Sequence, residues 1–302
     1  MRLIHILLAI LVMAIWGLSF VVIDIGLKDT SPLLLCAFRF LFTTFPAIFF
    51  IRKPPVSWAI LFGYGFFMFV LMFSCTFFSL RSGLSPGLAS LLLQIQIFFT
   101  ILLSAIFFKE SVTRWQIIGM IFSLSGLVVV GFHVGGEVNL ESLLFIISSA
   151  LAWGVANLMS KKAGKINMVA LIVWGSLIAW PFLFAASVLS EGFSPVLHQV
   201  QHLSVRTFSS IIYMAYPATI LGFSLWGFLL NKYKAAVVTP FALLVPIFGM
   251  LSSVLVFHEN LSSWKIIAGL LVIGGLGFNL LGARLVEFLR QCKTFQRKCP
   301  SR

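Results

Sequence analysis

The sequence predicts an all-α integral membrane protein with ten transmembrane helices built as a 5+5 inverted-topology repeat. Three observations predict it. The chain is 60% hydrophobic and only 10% charged. It contains ten long apolar runs. Two phrases recur in it with different charges around them. A soluble domain needs far more polar surface than a mean hydropathy of +1.09 leaves. Apolar runs of about 18–24 residues have to be helices in lipid, because their backbone groups find no water there.

The first run opens "MRLIHILLAILVMAIWG", one charge and then an apolar core, as a signal peptide does. It continues to Leu27, long enough to span a bilayer, and so reads as an uncleaved first helix. The runs that follow cover 32–51, 58–80, 85–108, 114–132, 140–160, 168–190, 208–231, 236–257 and 264–282. The polar stretch "EGFSPVLHQVQHLSVR" before the eighth run is the longest loop.

The net charge of +13 would suggest nucleic acid in a soluble protein. Here the basic residues sit in short loops and orient helices instead. With the N-terminus inside, the cytoplasmic set holds Arg2, Arg52, Lys53, Lys109, Arg114, Lys161, Lys162, Lys165, Lys232, Lys234 and the tail residues from Arg284 onward. The opposite face holds Lys28, Arg81, Arg206 and Lys265, and Arg39 falls inside a span. Both termini are therefore expected in the cytoplasm.

The phrase "KESVTRWQIIG" (109–119) recurs as "HENLSSWKIIAG" (258–269). Glu110, Trp115, Ile117 and Ile118 return as Glu259, Trp264, Ile266 and Ile267. Each phrase joins one span to the next. Five spans separate the copies, an odd number, so they face opposite sides of the membrane, as in inverted-repeat transporters. Thr113 and Gln116 fit a capping box. Glu110 and Glu259 read as carboxylates favoured by the dipole of the next helix, with proton coupling as the other reading. "AIWGLSF" (14–20) is echoed by "LAWGVAN" (151–157). The halves are thus 1–134 and 135–282, followed by a basic cytoplasmic tail, 283–302. That tail mixes apolar and basic residues and suits a short interfacial helix on anionic lipid.

No CxxC and no Cys/His cluster accompanies the four cysteines and five histidines, so neither a metal nor a cofactor is implied. An intramembrane enzyme would need a base beside a nucleophile, or a metal cluster, within the spans; none is evident.

Paired WG helices and E-x-[LV]-x-x-W junctions resemble the EamA family of the drug/metabolite transporter superfamily. The stretches "WGLSFVVIDIGL" (16–27), "RFLFTTFPAIFF" (39–50), "GLASLLLQIQIFFTILL" (87–103), "LWGFLLNKY" (225–233) and "LLVPIFG" (243–249) are most similar to its cysteine and O-acetylserine exporter branch. The resemblance implies alternating access in a bacterial inner membrane around a cavity lined by spans 1, 3, 4, 6, 8 and 9. It implies export of small metabolites, with broad multidrug efflux as the alternative. A homodimer is compatible with it.

The candidate substrate groups are polar or aromatic residues within spans. Arg39 suits a substrate carboxylate, or else snorkels or pairs with Asp24. Asp24 shares a helix face with Trp16 and Phe20; it could pass protons, bind an ammonium or mark the interface. Gln94 and Gln96 cannot both point at one axis, so one is expected to meet substrate and the other to bridge helices. Trp16, Ser19, Trp153 and Asn157 complete the set. Pro240 and Pro246 mark either a hinge or a static bend in the ninth span.

Overall fold

The computed structural model describes residues 1–164, 166–233 and 235–279. All its named elements are helices. Nine among the described residues are long and apolar enough to cross a membrane. They are α1 (Leu3–Gly26), α2 (Pro32–Phe49), α3 (Trp58–Arg81), α4 (Pro86–Phe108), α5 (Arg114–Gly131), α6 (Leu140–Ala163), α7 (Met168–Glu191), α8 (Val205–Lys232) and α9 (Thr239–Phe257). A shorter apolar helix, α10 (Ser263–Asn279), follows. The chain is thus a multi-pass membrane protein. The tail expected at 283–302, with Lys165 and Lys234, lies outside the described residues.

Local chemistry sets the helix starts. Ser57, Ser85, Asn139, Asn167 and Ser204 each accept a hydrogen bond from a backbone N–H of the first turn. Thr113 and Gln116 form both bonds of the capping box, at 3.3 and 2.8 Å. Proline stands at the start of α2 and of α4, where its missing N–H costs nothing.

One expectation needs correction. The polar stretch before α8 is not all loop, because Phe193–Gln201 is a short helix. Gln199 docks it, accepting from the Ser31 N–H at 2.9 Å and donating to Glu191 at 2.8 Å.

Irregular backbone recurs at a fixed interval. A π-helical segment occupies Gly65–Met72 in α3 and Met214–Leu221 in α8. Lys109 and His258 both adopt left-handed backbone, at φ 55° and 53°. Both features repeat after 149 residues. Left-handed conformation is unfavourable for residues with a Cβ, so its use at matching turns reflects one shared turn design.

Packing recurs likewise. α1 lies on α8 and α9, and α6 lies on α3 and α4. α2 meets α7, and α4 meets α9. A Cβ on Gly17 would come 2.6 Å from Phe248 Cβ, and one on Gly154 2.9 Å from Phe99 Cβ. Only glycine permits those two crossings. Phe248 lies 149 residues after Phe99.

Candidate functional site

Arg39 is a charge inside an apolar span. It is 4% exposed, on α2. Its Nη2 donates to Thr219 Oγ1 at 3.1 Å, and its guanidinium lies 4.0 Å from the centre of the Phe73 ring. Thr219 is presented by the π-helical segment of α8, where its own hydroxyl donates five residues back to the Met214 carbonyl at 2.7 Å. Arg39 Nε and Nη1 are buried without a protein partner. Among the described residues no carboxylate lies within ion-pair distance of Arg39, so the alternative of a pairing with Asp24 is not met. Nor does the side chain snorkel, since burial holds it between α2, α3 and α8. Burying a guanidinium is costly unless its donors are met. The ring and one hydroxyl meet part of that need.

The two glutamines separate. Gln96 Oε1 accepts from Asn157 Nδ2 at 2.9 Å, and Asn157 also donates to Thr100 Oγ1 at 3.0 Å. This triad joins α4 to α6 beside the Gly154 crossing. Gln94 lies in a single 3₁₀ turn, Leu93–Ile95, and is 7% exposed. Its amide makes no side-chain hydrogen bond among the described residues.

Trp16 donates from Nε1 to the Ala218 carbonyl at 2.8 Å and packs on Phe223 and Trp226. It thereby pins α1 to the irregular part of α8. Ser19 is turned inward on its own helix, donating to the Ile15 carbonyl at 2.9 Å. Tyr213 donates to that same carbonyl at 2.9 Å. Trp153 packs against the main core. Asp24 is half-buried near the end of α1, where neighbouring Arg81 donates to the Leu27 carbonyl at 2.8 Å. Pro240 and Pro246 flank the change from 3₁₀ to α-helix at Leu244.

A cavity of about 250 Å³ opens at the α4–α5 junction. Thr100, Ser104, Glu110, Ser111, Gln116 and Lys161 line it. Thr100 ties it to the Gln96–Asn157 triad. At its edge Lys161 and Glu110 form an ion pair at 2.5 Å. The second copy of the phrase differs. Glu259 is buried and reaches back to the start of α4, where Ser85 donates to it at 2.6 Å.

Thr219, Thr100 and Ser85 went unselected by sequence reasoning. Each is a hydroxyl in an apolar or turn context, and only its partner, 57–180 residues away, reveals it.

The profile of the EamA-like transporter family matches this chain twice, at residues 3–132 and 140–281. The chain belongs to the EamA-like transporter family. A protein of Escherichia coli K12 named "Probable amino-acid metabolite efflux pump" is 35% identical over 92% of this chain and 95% of its own length. Its Salmonella typhimurium LT2 namesake is 36% identical over 92% and 95%. An "Uncharacterized transporter" of Archaeoglobus fulgidus is 26% identical over 91% of this chain and 96% of its own. A solved crystal structure shares the fold, with a TM-score of 0.65 at 17% identity, over 95% of this chain and 100% of that one. As an EamA protein the chain is a membrane transporter of small molecules and not an enzyme.

Proposed function

We propose that this transporter exports amino-acid metabolites of the cysteine and O-acetylserine type by alternating access. In this reading ten helices form a 5+5 inverted repeat, 1–134 and 135–282, in a bacterial inner membrane with both termini cytoplasmic. The recurrence of the π segments, the left-handed turns and the Gly17 and Gly154 crossings supports the repeat. The efflux function of the named relatives supports the direction of transport.

The observation that carries the substrate class is the Arg39 guanidinium. It is buried, and among the described residues it has no carboxylate partner and its Nε and Nη1 are unmet. A substrate carboxylate supplies the missing anion, with charge-assisted bonds to those donors. Gln94 offers a further free amide for a polar substrate group. Asp24, half-buried at the end of α1, is the carboxylate placed to exchange protons.

Overexpression with mass spectrometry of the medium tests the proposal. The expected result is accumulation of extracellular cysteine, O-acetylserine or related amino acids, lost in Arg39→Ala at normal membrane level. Dye resistance without metabolite efflux would establish multidrug transport instead. In proteoliposomes, Asp24→Asn is expected to abolish flux driven by a pH gradient; undiminished flux removes Asp24 from coupling.

A further inference from the structure

The two copies of the repeated phrase are built alike and closed differently. The Glu259 side chain is 9% exposed where α9 turns into α10. Its carboxylate accepts from Ser85 at 2.6 Å, Ser253 at 2.5 Å and Lys265 at 3.3 Å. Ser85 caps α4, Ser253 lies on the last turns of α9, and Lys265 opens α10. One carboxylate therefore ties three helix ends together. Lys265 is itself buried and reaches Glu137 at 3.5 Å. A Cβ on Gly87 would meet Glu259 Oε2 at 2.9 Å, so the start of α4 fits tightly against the carboxylate.

The counterpart is open. Moving back 149 residues turns Ser253, Glu259 and Lys265 into Ser104, Glu110 and Gln116. These three line the 250 Å³ cavity. Glu110 is half exposed there and, among the described residues, is bonded by the Lys161 side chain. The residue before each glutamate has the same left-handed backbone. The turns thus match, and the difference lies in how neighbouring helices close on them.

We propose that Glu259 gates the outer face: its cluster with Ser85, Ser253 and Lys265 holds the exit shut while the Ser104–Glu110–Gln116 counterpart stands open to the cytoplasm. This rests on the alternating access and orientation proposed above. Glu259 touches no substrate and acts as a positioning residue. A polar cluster suits a reversible seal, because water replaces its hydrogen bonds when the ends of α4, α9 and α10 part. On exchange of states the roles swap. Ser104 then comes within reach of Glu110, six residues on, as Ser253 now is of Glu259.

Hydrogen–deuterium exchange of the full chain in lipid nanodiscs tests the gate. In Glu259→Ala, exchange is expected to rise about tenfold in segments 84–92 and 250–262 and to fall in 104–116, because weakening one closed state by a charged hydrogen bond shifts a two-state balance by roughly that factor. Glu259→Gln, which keeps an acceptor, is expected to lie between wild type and Ala. Ser253→Ala removes a single bond and gives the same pattern more weakly, which carries the test if Glu259→Ala does not fold. A rise at the outer segments with no fall at 104–116 would mark a mere structural brace and overturn the gate. Addition of L-cysteine or O-acetylserine to wild type separates the two readings. If the inner and outer segments never move oppositely there, alternating access fails and the gate with it. If they do so only in wild type, and the variants leave 104–116 unmoved, the gate alone fails.

Discussion

Ser123 of α5 donates its hydroxyl to the backbone carbonyl of Val272 in α10, 149 residues later, at 3.2 Å. The donor thus bonds the residue that occupies its own place in the second half. In the inverted repeat proposed above, such a contact lies on the axis that relates the halves. The flanking contacts obey the same relation. A Cβ on Gly126 would come 3.0 Å from the Ala268 carbonyl, and Gly275, its counterpart, faces Ser123 and Gly119. Both glycines face the carbonyl of the matching residue across the contact, Gly126 at 3.0 Å and Gly275 closer still. Gly126→Leu and Gly275→Leu are each expected to cost about 1–3 kcal/mol from overpacking, the tighter Gly275 the more. Thermal unfolding in detergent reads this out. A larger loss for Gly126→Leu would show that closeness at the α5–α10 contact does not set the cost.

The Arg39–Thr219 bond yields a prediction about binding. Thr219→Val keeps the shape at that position and removes the hydroxyl that positions Nη2. Leaving a buried donor unmet costs about 1–3 kcal/mol, which corresponds to a roughly tenfold rise in KM for a substrate carrying a carboxylate. The carboxamide analogue of the same substrate is expected to show no such change. Equal losses for both compounds would place the role of Thr219 in packing. Transport assays in proteoliposomes with the two compounds make the comparison.

The amides of α4 divide by partner. Asn157→Leu removes both side-chain bonds from α6 to Gln96 and Thr100 of α4, leaving only the bonds those two make with each other. Hydrogen bonds between membrane helices contribute about 0.6–2 kcal/mol, so a lower melting temperature is expected. Gln94→Leu removes no side-chain hydrogen bond seen among the described residues, so the melting temperature is expected to hold while KM rises. Should Gln94→Leu melt early with KM unchanged, Gln94 would be a packing residue.

These contrasts mark how far the sequence could be read. The positions of the long helices were legible because continuous apolar length dictates them, and the runs match α1 to α9 within a few residues. The short helix at Phe193–Gln201 was not, since its apolar residues are few and interleaved with His198, Gln199 and Gln201. Gln96 and Asn157 were visible as polar groups inside apolar runs. Their pairing required knowing that Gly154 crosses α4 at Phe99, next to Thr100. Thr219 needed the π register of α8, which no periodicity of side chains announced. Glu259 was legible as a repeat marker, but its bond from Ser85 was not, because that partner is 174 residues distant. What failed to show in the sequence was the tertiary pairing of polar groups, not their presence.

The Glu137 carboxylate supplies a pH prediction at the membrane surface. It accepts from Trp264 Nε1 at 3.1 Å and from Ser262 at 3.3 Å, with Lys265 at 3.5 Å. The Trp264 bond, with help from Lys265 and Ser262 against some desolvation, holds this carboxyl below the usual glutamate range. A group whose pKa is lower folded than unfolded stabilises the fold above its unfolded value. That contribution is lost as pH falls through the folded value. Wild type is therefore expected to lose melting temperature below about pH 4.3, the ordinary glutamate value, more steeply than Glu137→Gln. The amide does not titrate but still offers Trp264 an acceptor. Parallel curves for the two proteins over that range would mean that the Trp264 bond does not couple Glu137 to folding.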